Sequence, residues 1–279
     1  MRESIGSPVF ISNALAHTSV RLGLVVLSAL LAGAMNAIAG GGTLVTFPAL
    51  VALGVPPINA NATSTVALWP ASISSMWGYR TELTGARAWA LGFALPSLAG
   101  GGVGGWLLLR TPADRFAAIV PWLVLGATVL FMLQRPVMRH LARARTERSP
   151  DKKSDVQRTS QRPPVWILIF QFVVAVYGGY FGAGVGILML AALGFMGLRN
   201  IHRMNGLKNW GGMCMNAVAA AMFAFSNLVN WPVAAAMALG SVSGGYVGSR
   251  TAQRVPQSFV RATVVVIGLA SGIVLFISR

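Results

Sequence analysis

Few side chains able to do chemistry interrupt the long apolar runs of this chain, and those few gather beside two groups of glycines. The first group holds Asn36 and the stretch AGGGTLVT with Gly40, Gly41, Gly42, Thr43 and Thr46, and NANATST follows with Asn61 and Thr63. The second is FGAGVG with Gly182, Gly184 and Gly186, followed by MNGLKNW with Asn205, Lys208 and Asn209. Hydroxyls, amides and one ammonium donate hydrogen bonds without bringing negative charge. A glycine break adds the first N–H groups of the following helix, which lack intrahelical partners and sit at its positive end. These residue types in this order suit the reversible binding of an anion.

The absences sharpen that reading. The six acidic residues, Glu3, Glu82, Asp114, Glu147, Asp151 and Asp155, all fall in termini, loops or a polar central segment. No carboxylate pair is therefore placed for acid–base catalysis, and no histidine spacing suits zinc. No acid or histidine stands within the apolar runs as a proton relay or a sodium ligand. Cys214 is the only cysteine, so there is neither a disulfide nor a cysteine metal cluster. The expectation is a protein that is not an enzyme, with no metal and no cofactor.

The elements that position these residues are membrane helices. Hydrophobic residues make up 55% of the chain and charged residues 10%, with a mean hydropathy of +0.66. Soluble domains carry about 25% charged residues. Runs such as VRLGLVVLSALLAGAMNAIAG and FAAIVPWLVLGATVLFML approach the roughly 20 residues that cross a bilayer core. Of the 22 Lys and Arg behind the net charge of +16, nine lie between Arg135 and Arg162, and most others flank apolar runs. That is the distribution of positive-inside topology rather than of a nucleic-acid surface. The first twenty residues lack the apolar core of a cleaved signal, so the first membrane helix is expected to be retained.

The polar segment 134–164 separates an N-terminal membrane repeat, 1–133, from a C-terminal one, 165–279. Helices are expected near 22–39, 44–55, 62–79, 88–109 and 116–133, and again near 165–182, 187–198, 205–225, 231–249 and 259–278. Sliding the chain by 143 residues superposes Gly41 on Gly184, Gly54 on Gly197, Gly101 on Gly244, Gly102 on Gly245 and Gly105 on Gly248. Five segments per half is odd, so the second repeat must be inverted. The charges agree: 80–87 is basic where its counterpart 226–231 is not, and 199–203 is basic where 56–61 is not. The fold expected is an all-α polytopic membrane protein of two inverted repeats of five hydrophobic segments. The linker would be cytoplasmic and both termini outside.

The second segment of each repeat has about twelve residues, or roughly 18 Å of helix, too short for a core of about 30 Å. Each is expected to be re-entrant after its glycine break, with the irregular backbone lining a cavity between the repeats. Small residues also let membrane helices pack closely, and Gly101 with Gly105 and Gly244 with Gly248 have that spacing. Lys208 lies about one turn from its helix end, so it either snorkels to the interface or attracts an anion. A membrane scaffold using its glycines only for packing is the alternative to a transporter.

Two longer stretches carry a family resemblance. AGGGTLVTFPALVALGVPPINANATST followed by WGYR, and YGGYFGAGVGILMLAALGFMGLRNIHRMNGLKN, resemble the two repeat signatures of the sulfite exporter TauE/SafE family. The resemblance implies a multi-pass transporter of the bacterial inner membrane. Its substrates would be small sulfur-containing anions such as sulfite or C2 and C3 organosulfonates, mostly exported. It maps Gly40, Gly41, Gly42 and Thr43 to the first signature, and Gly182, Gly184, Gly186, Asn205 and Lys208 to the second. The second break reads GAGVG, and Val185 is expected to narrow that side of the cavity. The partners expected are the anion and the lipid bilayer, with a homo-oligomer compatible and nucleic acid not.

Overall fold

A computed structural model describes residues 8–38, 40–143, 155–156, 159, 161–251 and 257–277; of 8–19, 134–143, 257–264 and 277 it describes only the backbone. Among the described residues are ten α-helices, a short 3-10 turn at Arg80–Leu83, and helical residues 155, 156 and 159 in the linker. In chain order the ten helices are α1 (Pro8–Ile38), α2 (Thr43–Ala52), α3 (Pro57–Gly78), α4 (Arg87–Arg110), α5 (Ala113–Arg143), α6 (Val165–Tyr180), α7 (Val185–Phe195), α8 (Ile201–Ala224), α9 (Trp231–Thr251) and α10 (Gln257–Ile277). The expected ten segments are present, and there is no strand among the described residues.

Several helices exceed the apolar runs that announced them. α1 starts at Pro8 rather than near 22, and α5 continues to Arg143, past the start of the polar segment. Polar side chains end a membrane span without ending a helix, and Ala, Leu, Arg and Met favour helix continuation. α3 and α8 also begin earlier than expected. Pro57 at the first position of α3 is pre-set for helix. Asn200 caps α8, its side chain accepting from the N–H groups of His202 and Arg203. Residues 1–7 of the N-terminal stretch, and Arg145, Arg148, Lys152, Lys153 and Arg158 of the linker's basic run, fall outside the described residues.

α2 and α7 span 10 and 11 residues, too short to cross a bilayer. Each folds back along the helix before it. Gly42 lies against the carbonyl of Ala32 on α1, and Leu193 and Leu198 pack with Ile167 at the start of α6. Both hairpins end alike. Gly54 and Gly197 have φ of +88° and +90°, and the following N–H groups return to the carbonyls of Leu50 and Leu193.

The two halves interleave. α1 packs along α9 and α4 along α6; α9 and α4 also pack against α3 and α8 respectively. α3 meets α8 in the centre, and α5 meets α10. Exchanging the halves turns every one of these pairings into another on the same roll. Glycines set the close approaches. Gly100 and Gly104 face α6 while Gly101 and Gly105 face α8; Gly240, Gly244 and Gly248 face α1 while Gly245 faces α3. By contact, then, Gly100 corresponds to Gly244, Gly101 to Gly245 and Gly104 to Gly248. That register is 144, one residue beyond the best match in sequence.

Large apolar side chains cover the outside, with Leu91, Leu95, Val165 and Leu239 each more than 70% exposed. Such a surface suits lipid rather than water. At helix ends Arg80 lies over the Trp77 ring, Arg110 over Trp106 and Arg250 over Tyr246, at 4.8, 5.2 and 5.3 Å. Arginine paired with an aromatic ring fits the membrane–water boundary.

Candidate functional site

The two glycine breaks meet. Gly40 has a φ of +80°, and a Cβ there would stand 2.7 Å from the Cα of Gly186 in the other break. Only glycine tolerates both that conformation and that contact. Around this meeting point lies a cavity lined by Asn36 and Gly40 of the first break, Val185, Gly186 and Met189 of α7, Ser72 and Ser75 of α3, and Lys208, Asn209, Gly212, Met215 and Asn216 of α8. Its lining holds polar side chains and one ammonium, and no acid.

Each break is stitched by a side chain from the last turn of the preceding helix. The Asn36 Oδ1 accepts from the N–H groups of Gly41 and Gly42, each at 3.0 Å. The Tyr177 hydroxyl donates to the Ala183 carbonyl at 2.7 Å. These bonds satisfy backbone groups that lie too deep for water to reach.

Lys208 does not snorkel. Its side chain is 3% exposed, and its Nζ donates to the carbonyls of Asn36 at 2.9 Å and Ala37 at 3.3 Å. These are the last carbonyls of α1, the negative end of a broken helix, and an ammonium there is doubly favoured. Asn209 adds a longer bond to Ala37, at 3.4 Å. In the other half the corresponding helix end is held by an amide: Asn61 Nδ2 donates to the Tyr180 carbonyl at 2.9 Å. The two broken helix ends thus differ electrically, one holding a cation and the other a neutral group.

Lysine carries three N–H donors, and two are directed at α1. The third is available to a ligand in the cavity that Lys208 lines. Gly186 is the second residue of α7, so the positive end of that short helix also faces the cavity. The cavity is narrow, about 30 Å³, which is the share of roughly one water molecule.

Of the residues singled out in sequence, Asn36, Gly40, Gly186, Lys208 and Asn209 line this cavity. The others lie around it. Gly41 faces the Phe131 ring of α5, and Gly184, with φ +75°, starts α7 against Ala127. Gly182 turns the second break at φ +78°, and a Cβ there would stand 4.0 Å from the Thr43 hydroxyl of the other half. Thr46 pairs with the Ser64 hydroxyl at 2.5 Å, and Thr63 accepts from the Asn230 N–H at 3.0 Å. Asn205 and Asn61 are buried, each with an Oδ1 that has no hydrogen-bond partner. Val185 lines the cavity as well.

Ser72, Ser75, Met189, Gly212 and Met215 were not anticipated. A signal existed for part of that set: Gly212, Met215 and Asn216 follow Lys208 by 4, 7 and 8 residues, one face of a helix. Ser72 and Ser75 share a face of α3 in the same way. Met189 had no such signal.

Known proteins agree with this picture. The model of the family described as "Sulfite exporter TauE/SafE" matches residues 25–275. A "Probable membrane transporter protein ORF9" of Sinorhizobium sp is 28% identical over 257 residues, covering 90% of this chain and 91% of its own. The "Probable membrane transporter protein YfcA" of Escherichia coli K12 is 28% identical over 257 residues, covering 88% and 86%. A "Probable membrane transporter protein" of Haemophilus influenzae is 27% identical over 239 residues, covering 83% and 85%. No solved structure matches. With a family model spanning nearly all the helices, both breaks and the cavity between them, the chain belongs to the sulfite exporter TauE/SafE family of membrane transporters.

Proposed function

We propose that this transporter exports small sulfur-containing anions, sulfite or C2 and C3 organosulfonates, across the bacterial inner membrane. The substrate binds between the two broken helices, which belong to inverted repeats of five segments each. One observation carries the reading: a single buried lysine, Lys208, lines a polar, acid-free cavity where the two breaks meet. The exchange of helix pairings between the halves supports the repeat, and the family supports the substrate class.

The donors suit an oxyanion. Lys208, Asn209, Asn216, Ser72 and Ser75 offer N–H and O–H groups, and the α7 N-terminus adds a partial positive charge. With no acid in the lining, the inside-negative potential alone drives efflux, supplying about 2.3 kcal/mol per charge per 100 mV.

Purified protein in liposomes tests this. Sulfite and sulfoacetate flux is followed under an imposed potassium diffusion potential, with sulfate and chloride for comparison. Flux that follows the potential, prefers the sulfur anions and falls at least tenfold in Lys208→Gln is the expected result. Strict dependence on a proton gradient would sink the uniport reading. No flux of any anion from folded protein would favour a scaffold whose glycines serve only packing.

A further inference from the structure

The linker between the halves touches the transport machinery at one place. Asp155 is only 3% exposed, and its Oδ2 accepts from the N–H groups of Arg199 at 3.0 Å and Asn200 at 2.8 Å, just before α8. Thr159 is fully buried; its hydroxyl donates to the Asp155 carbonyl at 2.9 Å and accepts from Arg203, from Nε at 3.0 Å and from an Nη at 2.5 Å. Arg203, 5% exposed, spends its remaining donors on the carbonyls of Glu82 and Thr84 in the α3–α4 connection, both at 3.1 Å. Val156 lies beside Gly85 of that connection, 3.4 Å from where a Cβ would stand. One guanidinium thus joins the linker, the end of α3 and the start of α8.

Those two helices carry most of the cavity's polar lining. Ser72 and Ser75 stand one to two turns before the end of α3, and Lys208 stands five residues after Arg203 on α8, about 7.5 Å along the axis. Tyr79, the residue after α3, is buried with Ile38 at the end of α1. The bonds of Asp155, Thr159 and Arg203 therefore tie the start of α8 to the connection that follows α3. Asp155, Val156 and Thr159 belong to the connection between α5, which ends at Arg143, and α6, which starts at Val165.

We propose that the linker segment carrying Asp155, Val156 and Thr159 is a strap that holds the linker face of the transporter closed, and that its release admits substrate from that side. Through Arg203 the strap fixes the spacing of α3 and α8. The strap belongs to the connection between α5 and α6 and to neither of those helices. The inference rests on the cavity being the transport site.

Thiol accessibility tests it without any knowledge of the substrate. In a Cys214→Ser background, Ser72→Cys places a single cysteine in the cavity lining. Full-length protein in membrane vesicles is treated with a membrane-impermeant maleimide from the linker face, and from the opposite face as reference. Thr159→Val, which is isosteric and removes only the hydroxyl, and Asp155→Asn are expected to raise the labelling rate from the linker face about tenfold, the effect of losing a hydrogen bond to a charged group. The rate from the other face stays the same. Equal linker-face rates in the parent and in folded Thr159→Val would overturn the strap. Absence of anion flux would count against the proposed function and leave this comparison intact.

Discussion

Asn36→Asp isolates the charge of the cavity from the shape of the break. Asn36 does two things: its Oδ1 accepts the N–H groups of Gly41 and Gly42, and its carbonyl accepts from Lys208 at 2.9 Å. Aspartate keeps an acceptor in the same place, so the break retains both hydrogen bonds. What changes is one negative charge lining the same cavity as Lys208. At a separation of about 5 Å and an effective dielectric of about 20, a monovalent anion is repelled by about 3 kcal/mol. That is about two decades of affinity, since each 1.4 kcal/mol is tenfold. The carboxylate also attracts the Lys208 ammonium, so the folded protein should be no less stable than the parent. Asn36→Ala behaves differently, because it strands two buried N–H groups at about 1–3 kcal/mol each. The assay is the liposome flux experiment beside a thermal unfolding curve in detergent. A folded Asn36→Asp protein carrying sulfite or sulfoacetate within twofold of the parent would refute the idea that the anion sits in this cavity.

Other perturbations separate packing from function. Gly244→Ala puts a Cβ into the Leu30 carbonyl oxygen and forces α1 from α9, at about 1–3 kcal/mol read as lower thermal stability. Gly126→Ala, on α5 with nothing within 4 Å of the new Cβ, should be neutral or stabilising by up to about 1 kcal/mol; equal losses in both would show that the glycine contacts are not what matters. Tyr177→Phe removes the hydroxyl that holds the Ala183 carbonyl and should cost about 1 kcal/mol of stability while slowing flux through a looser second break. Unchanged stability and flux would mean that Tyr177 does not organise that break.

How much was legible beforehand differs between the elements and the site. The positions of both breaks followed from the two glycine clusters, in which Gly40, Gly41, Gly182 and Gly184 have a positive φ, a local demand that glycine meets. The packing role of Gly101, Gly105, Gly244 and Gly248 was legible from spacing, but the register was not. Three coincidences favoured 143, whereas contacts with α6, α8, α1 and α3 set 144. One residue of offset rotates a helix face by about 100°, and only the neighbouring helix decides which face is used. Helix ends were misjudged at α1, α3, α5 and α8 because hydropathy marks the membrane and not the helix.

What the sequence determined by itself is the solvent, the number of segments, the two short ones and the acid-free donor set, since hydrophobicity and backbone preference are properties of short stretches. What only the tertiary structure decided is how each polar group is used. Lys208 is bonded to carbonyls 171 and 172 positions away, Asn61 to one 119 away, and Arg203 to the linker and to the α3–α4 connection. In a medium without water every buried donor and acceptor must find a partner within the protein. Which donors remain for a substrate is therefore settled only when the distant segments have come together.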